Sequence, residues 1–223
     1  ETACRVGQSQ RGGVRHRLDR LSWRAVHRIA FHSRRELDSF AEFYRLPTDR
    51  PAFEIWPHEQ FMKRYFEGDR AEARRALTLP DDPILFLCIG FVQPHKGFER
   101  PVIALRQIQA QHVILRIVGS VRLMWDKAHQ YAESLHRLAD IDSRVDFIET
   151  YVSDALFDTW LAAADYVLVP YHEVWSSGVA ARAKLFGRPL IVADTGALAE
   201  QQTEGSRLFR NDDELLAILR EIT

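Results

Sequence analysis

The chain has 223 residues, 46% of them hydrophobic and 27% charged, with a formal net charge of −1. That composition is globular, which excludes disordered and collagen-like classes, and no apolar run reaches the roughly 18 residues a membrane span needs. Two cysteines, Cys4 and Cys88, exclude a disulfide framework and show no metal-ligand spacing, so a reduced, cytoplasmic setting is the expectation.

The near-zero net charge conceals an asymmetry at the front of the chain. The first 35 residues hold nine arginines, from Arg5 to Arg35, against Glu1 and Asp19 alone. Such a segment is commonly a solvated helix face or a cover for another domain; a peripheral contact with an anionic membrane is the other reading. No aromatic interleaving accompanies the arginines, so nucleic acid is not expected as a partner.

In chain order, Val26 to Phe31 predicts a strand, and Ser33 caps a helix from Arg34 to Tyr44. Phe53 to Trp56 predicts a second strand, and Pro47, Pro51 and Pro57 mark turns leading into a linker. One βαβ-like piece cannot bury both its faces, so it either completes a sheet lying elsewhere or packs onto the main domain. From Ile84 to Ile89 the chain is continuously apolar, as a strand covered on both faces requires. Similar runs recur at Val113 to Val118, Val145 to Ile148, Tyr166 to Val169 and Leu190 to Ala193. Helical patterns alternate with them at about Phe98 to Gln109, Leu123 to Ala139, Asp154 to Ala163 and Gly178 to Phe186. Asn211 caps a last helix whose first turn carries Asp212, Asp213 and Glu214. Strand–helix alternation with short joints predicts an α/β, Rossmann-like doubly wound parallel sheet, accompanied by a remnant of a second α/β domain. Residues 1–57 form the tail end of that other domain, 58–80 a linker and leading helix, and 81–223 the main domain.

Ligands of such sheets bind beyond the carboxyl ends of the strands, at helix N-termini. Two loops fall there. Gly90-Phe91-Val92-Gln93-Pro94-His95-Lys96-Gly97 brings close-approach glycines and a lysine to a helix start. It lacks the Gly-Lys-Ser/Thr of a P-loop and the dinucleotide glycine fingerprint; alone it reads equally as a plain βα turn. In the second loop, Ser176 or Ser177 caps the helix opening at Gly178-Val179 and leaves N–H groups for an anion. Together the loops suit a pyrophosphate. Cys88 is expected to be a buried strand residue, Phe157, Trp160 and Leu161 to be core, and Tyr171 and Trp175 to pack beneath the second loop. The nine histidines are scattered, and no metal site is expected.

At these residues the chain resembles the C-terminal, donor-binding half of GT4-type retaining glycosyltransferases of the GT-B fold. The resemblance rests on Glu54-Ile55-Trp56-Pro57-His58, the Asp69 to Leu77 helix, Gly90 to Gly97, Val145 to Asp154, Ala162 to Tyr171, Ser176 to Val179 and Phe186 to Ile191. It implies a nucleotide-diphosphate-sugar donor, no further cofactor or metal, and transfer to a glycan, lipid-linked or small acceptor with retention. It assigns Lys96 and the amides of Ser177, Gly178 and Val179 to the diphosphate, Gly90 to close backbone approach, and the turn around Tyr151 to the base. Lys96 and Glu173 are the catalytic candidates; Gly90, Gln93, Lys96, Tyr151, Ser176, Ser177, Gly178, Val179 and Arg182 are the donor-binding ones.

The chain also departs from the family pattern. Gln93 stands where a basic residue usually accompanies the lysine. The two acids eight positions apart fall on Val174 and Arg182, with Glu173 one residue from the first. Gln cannot neutralise charge, and Arg cannot accept hydrogen bonds from a ribose. These departures favour the rival reading, a non-catalytic module that kept the fold. A flavodoxin-like or dehydrogenase domain is a weaker third reading, for want of its acids or glycines. The acceptor side lies in an N-terminal domain of which residues 1–57 would be only the end, so a fragment of this length is expected to bind nucleotide more readily than to transfer sugar.

Overall fold

The computed structural model describes residues 13–46, 52–121 and 126–223. Its front piece comprises α1 (Val14–Ala25), β1 (Arg28–Phe31), α2 (Arg34–Tyr44) and β2 (Ala52–Ile55), with β1 and β2 parallel and Arg28 opposite Ala52. Ser33 accepts a hydrogen bond from the Glu36 N–H at the start of α2, as a cap should. Leu37, Phe40 and Tyr44 then follow at helical spacing and are buried with Phe31, Phe43 and Leu46 in a small, largely aromatic core. The unit touches the main domain: Trp175 packs against its core, and the Arg34 and Arg35 N–H groups both donate to the Glu200 carboxylate.

A 3-10 turn (His58–Phe61) leads to α3 (Arg70–Ala76), which opens with a reciprocal Asp69–Glu72 capping box. The large sheet follows: β3 (Ile84–Ile89), β4 (Val113–Gly119), β5 (Val145–Glu149), β6 (Tyr166–Val169), β7 (Leu190–Ala193) and β8 (Arg207–Phe209). All pairings are parallel, in the order β5-β4-β3-β6-β7-β8. The helices between and after them are α4 (Glu99–Leu105), α5 (Asp126–Ala139), α6 (Asp154–Ala163), α7 (Gly178–Lys184) and α8 (Asp212–Ile222).

The chain winds outward from β3 through β4 to β5, then returns to place β6 on the other side of β3. That reversal leaves a crevice beyond the carboxyl ends of β3 and β6. The apolar runs are buried as strands covered on both faces must be, with Cys88 inside β3, its thiol pKa pushed up by burial. Among the described residues, no helix is long and apolar enough to cross a membrane.

Several boundaries differ from the sequence reading. α4 ends at Leu105 because the backbone tightens into turns, Gln107 and Ile108 donating only three residues back. α7 stops at Lys184 for the same reason, before Gly187. β8 was not anticipated: three residues carry too short a pattern to stand out from a loop. The proposed start of a helix at Leu123 lies outside the described residues.

One charged cluster holds α3 against the strands that carry the crevice. Asp165, just before β6, accepts from the Leu85 N–H of β3, from Arg70 and from Arg74. The Arg74 side chain is 0% exposed and also donates to the carbonyls of Ala163, Pro80, Asp81 and Pro83. Asp165 thus orders the turn, as its position before a strand suggests.

Candidate functional site

A cavity of about 490 Å³ occupies the crevice. Gly90, Gln93 and Lys96 reach it from the β3–α4 loop, Gly119 and Ser120 from the end of β4, and Tyr151 and Val152 from the β5–α6 turn. Ser176, Ser177, Gly178, Val179 and Arg182 close it from the start of α7, and Met62, Phe91, His95 and Phe157 complete the wall. All nine donor-binding candidates therefore converge on one space from segments far apart in sequence.

The floor depends on two glycines at neighbouring strand ends. Gly90 has φ +123°, a backbone region closed to other residues without strain. A Cβ on Gly119 would lie 1.8 Å from the Gly90 carbonyl oxygen. Gly119→Ala is therefore expected to push the two strand ends apart, to lower stability by about 1–3 kcal/mol as overpacking does, and to weaken any ligand that sits on this floor. Chemical denaturation alongside a ligand titration checks both.

Lys96 ends a single 3-10 turn (Pro94–Lys96) whose Gly97 N–H returns to the Pro94 carbonyl. Its Nζ stands 3.9 Å from the centroid of the Tyr171 ring, and no carboxylate pairs with it among the described residues. Burial lowers its pKa to about 8, so the ammonium persists at neutral pH but is poorly solvated. Such a cation lacks only an anion. Tyr171 is buried, as the sequence suggested, with its phenol pKa pushed up by desolvation. The two loops are joined where the His172 N–H donates to the His95 carbonyl, and His172 also meets Glu99 at 2.9 Å. The His95 pKa is lowered, first by burial and then by the nearby Lys96 charge.

At the second loop the cap is Ser177, whose Oγ accepts from the Ala180 N–H. The Ser177 N–H itself is not open to a ligand. It donates to Gln201 Oε1 at 2.8 Å, while Gln201 Nε2 donates back to the Ser177 carbonyl. This corrects the assignment of that amide to a diphosphate and leaves Gly178 and Val179 as the amides available. Ser176 is held from the other side by His58, with Nε2 to Oγ at 3.1 Å. The His58 ring stacks on His32 at 3.6 Å; burial and then the His32 charge lower its pKa.

Arg182 lines the cavity but is already engaged, with Nε 2.5 Å from Asp158 and Nη1 2.7 Å from Asp154. Asp158 is fully buried and also accepts from the Tyr65 N–H. Glu173 is exposed and lies outside the lining of this cavity; its nearby charge works against the lowering of the His95 pKa. Phe157, expected in the core with Trp160 and Leu161, is only partly buried because its helix end faces the cavity. The sequence reading passed over Met62, Gly119 and Ser120 as well. Gly119 could have been found, since it closes an apolar strand as Gly90 does; Met62 carries no such signal. Among the described residues, no three His, Cys, Asp or Glu side chains gather into a metal-holding group.

Comparison with known proteins bears directly on this arrangement. The family model described as "Glycosyl transferases group 1" matches residues 83–222. A D-inositol 3-phosphate glycosyltransferase of Nocardia farcinica is 30% identical over 187 residues, which are 80% of this chain and 40% of that protein. Sucrose-phosphate synthase from Thermosynechococcus elongatus superposes with a TM-score of 0.75 at 21% identity, covering 99% of this chain and 56% of its own. HepE of Anabaena, solved in complex with UDP-glucose, gives 0.67 at 20% identity over 90% of this chain and 55% of that one. The chain thus spans about two fifths of the length of the Nocardia relative and somewhat over half of the two solved structures. The GT-B fold expected from the motifs is borne out by these superpositions. With the family model covering more than half of its length, the chain belongs to the group 1 glycosyl transferases.

Proposed function

We propose that this chain supplies the donor side of a retaining glycosyltransferase, binding a nucleotide-diphosphate sugar in the cavity between the β3–α4 and β6–α7 loops. One observation carries the reading: Lys96, a half-buried ammonium without a carboxylate partner among the described residues, faces the same cavity as the Gly178 and Val179 N–H groups. Fixed donors of this kind stabilise a diphosphate as it departs, and they do so best where water is excluded. Lys96 is the group that meets the leaving diphosphate, with no metal required for the charge. Gly90 lets the protein backbone come close to the donor, and Tyr151 stands exposed at the mouth beside Val152 and Phe157, where a base would lie. HepE, of like fold, holds UDP-glucose, which makes a uridine nucleotide the first donor to try. The acceptor is a glycan, a lipid-linked sugar or a small glycoside, met from the side of residues 1–57, in a cytoplasmic setting.

Glu173, outside the cavity, and Arg182, already paired, favour a second reading in which the chain binds nucleotide without catalysing transfer. Thermal denaturation with UDP, GDP and ADP tests both. At about a hundred times its Kd, the right nucleotide adds about 2.7 kcal/mol, a rise on the order of 5–10 °C for a chain of this size. No rise with any of the three would overturn both readings. A rise with UDP fits both readings; transfer from a UDP-sugar once the acceptor-side domain is supplied selects the first, and its absence there selects the second.

A further inference from the structure

The fixed charges facing the cavity do not balance the ligand proposed for it. The diphosphate of a nucleotide sugar is esterified at both ends. It therefore carries two negative charges and lacks the ionisation near pH 6 that a terminal phosphate keeps. Lys96 answers one of the two. Arg182 is engaged by Asp154 and Asp158, and Gln93 is neutral. His95 is the other basic side chain among the described residues of the lining.

His95 sits in the middle of the 3-10 turn that ends in Lys96, directly after Pro94, and its carbonyl accepts from the His172 N–H of the second loop. Its backbone is thus held from both loops. Its ring is half-buried against the cavity and hydrogen-bonds to no described residue. Three titratable neighbours act on it: Lys96 repels a proton there, Glu173 attracts one, and His172 repels one when charged. Burial and Lys96 together keep the ring neutral at pH 7 in the free protein. A dianion in the cavity supplies the opposite field. Two negative charges beside the ring favour the imidazolium, and the poor solvation of the site strengthens that attraction.

We propose that His95 is a second diphosphate-binding residue, neutral in the free protein and protonated as the donor binds, so that the dianion meets two cations. The inference rests on the donor-site reading. Calorimetric titration of the 223-residue chain with UDP-glucose, GDP-mannose and ADP-glucose tests it, at pH 6 in two buffers of different ionisation heat. The donor that binds is expected to draw in about half a proton. Lys96, already charged at pH 6, adds nothing to that count. Affinity for the same donor should rise about three- to tenfold from pH 7 to about pH 5.5, as protonation of the bound ring becomes favourable. In His95→Gln and His95→Asn, which keep a hydrogen-bonding side chain that cannot take a charge, both the uptake and the rise are expected to vanish. Binding without proton uptake by the parent chain overturns the proposal and leaves the donor site in place. Uptake that persists in both variants overturns it as well, by placing the proton on another histidine beside the loops, His58 or His172. Binding of none of the three sugars at millimolar concentration overturns the donor-site reading and this inference with it.

Discussion

Lys96→Met is expected to weaken nucleoside-diphosphate binding by about 1.5–3 kcal/mol, roughly 10- to 150-fold in Kd. Methionine keeps an apolar stem against the Tyr171 ring and removes the charge alone. The pH dependence is a sharper readout. Because burial has brought the Lys96 pKa to about 8, the free protein holds its ammonium below that pH and sheds it above. Affinity for a diphosphate, itself fully ionised over that range, should therefore be highest near pH 7 and decline as pH rises through 8 and beyond. Bound diphosphate draws the proton back and shifts the decline upward. In Lys96→Met the profile should be flat. The stability of the free protein moves the other way: between about 8 and the ordinary lysine value of 10.5 the unfolded chain binds the proton and the folded one does not, so stability rises with pH. Calorimetric titration at pH 7 and 9.5 separates the two effects. Equal affinity for the parent and the variant would remove Lys96 from the site.

The weight placed on Lys96 follows from what Arg182 cannot do. Its guanidinium pairs with Asp154 and Asp158 together, so it brings no spare positive charge to that corner of the cavity. Gln93 adds a hydrogen-bond donor without charge. Within the lining of the cavity, the ammonium opposite Tyr171 is thus the cation left for a phosphate. Arg182 instead ties α7 to α6.

The parallel sheet was legible because strands buried on both faces must be continuously apolar; Ile84–Ile89, Tyr166–Val169 and Leu190–Ala193 are the strands the apolar runs predict. Capping chemistry was equally readable at Ser33, at the Ser176-Ser177 pair, of which Ser177 is the cap, and at Asn211; their side-chain oxygens satisfy backbone donors. What the sequence could not show was pairing at long range. Nothing local to Ser177 announces that Gln201 will take its amide, and nothing local to Arg182 announces the carboxylates of α6. Composition finds charges; only the fold says which are already answered.

Arg74→Met should be the most damaging single change outside the cavity, costing about 3–5 kcal/mol, the range for breaking a buried charge network from one side. The side chain is close in volume, so the loss is electrostatic and not a void. Four backbone carbonyls, those of Ala163, Pro80, Asp81 and Pro83, lose their donor, and that of Ala163 is buried. Asp165 would keep Arg70 and the Leu85 N–H, so the link from α3 to the starts of β3 and β6 would rest on the more exposed of the two arginines. Arg70→Met provides the contrast. Its pair with the same carboxylate is partly open to solvent, where such bridges contribute about 1 kcal/mol or less. Two arginines on one helix, bound to one aspartate, should thus differ severalfold in effect, which urea denaturation of both variants would measure. Equal and small losses would mean that the strands beside the cavity are held by apolar packing alone. A large loss at Arg74 would show that the crevice keeps its shape through a charge buried at the opposite end of the same two strands.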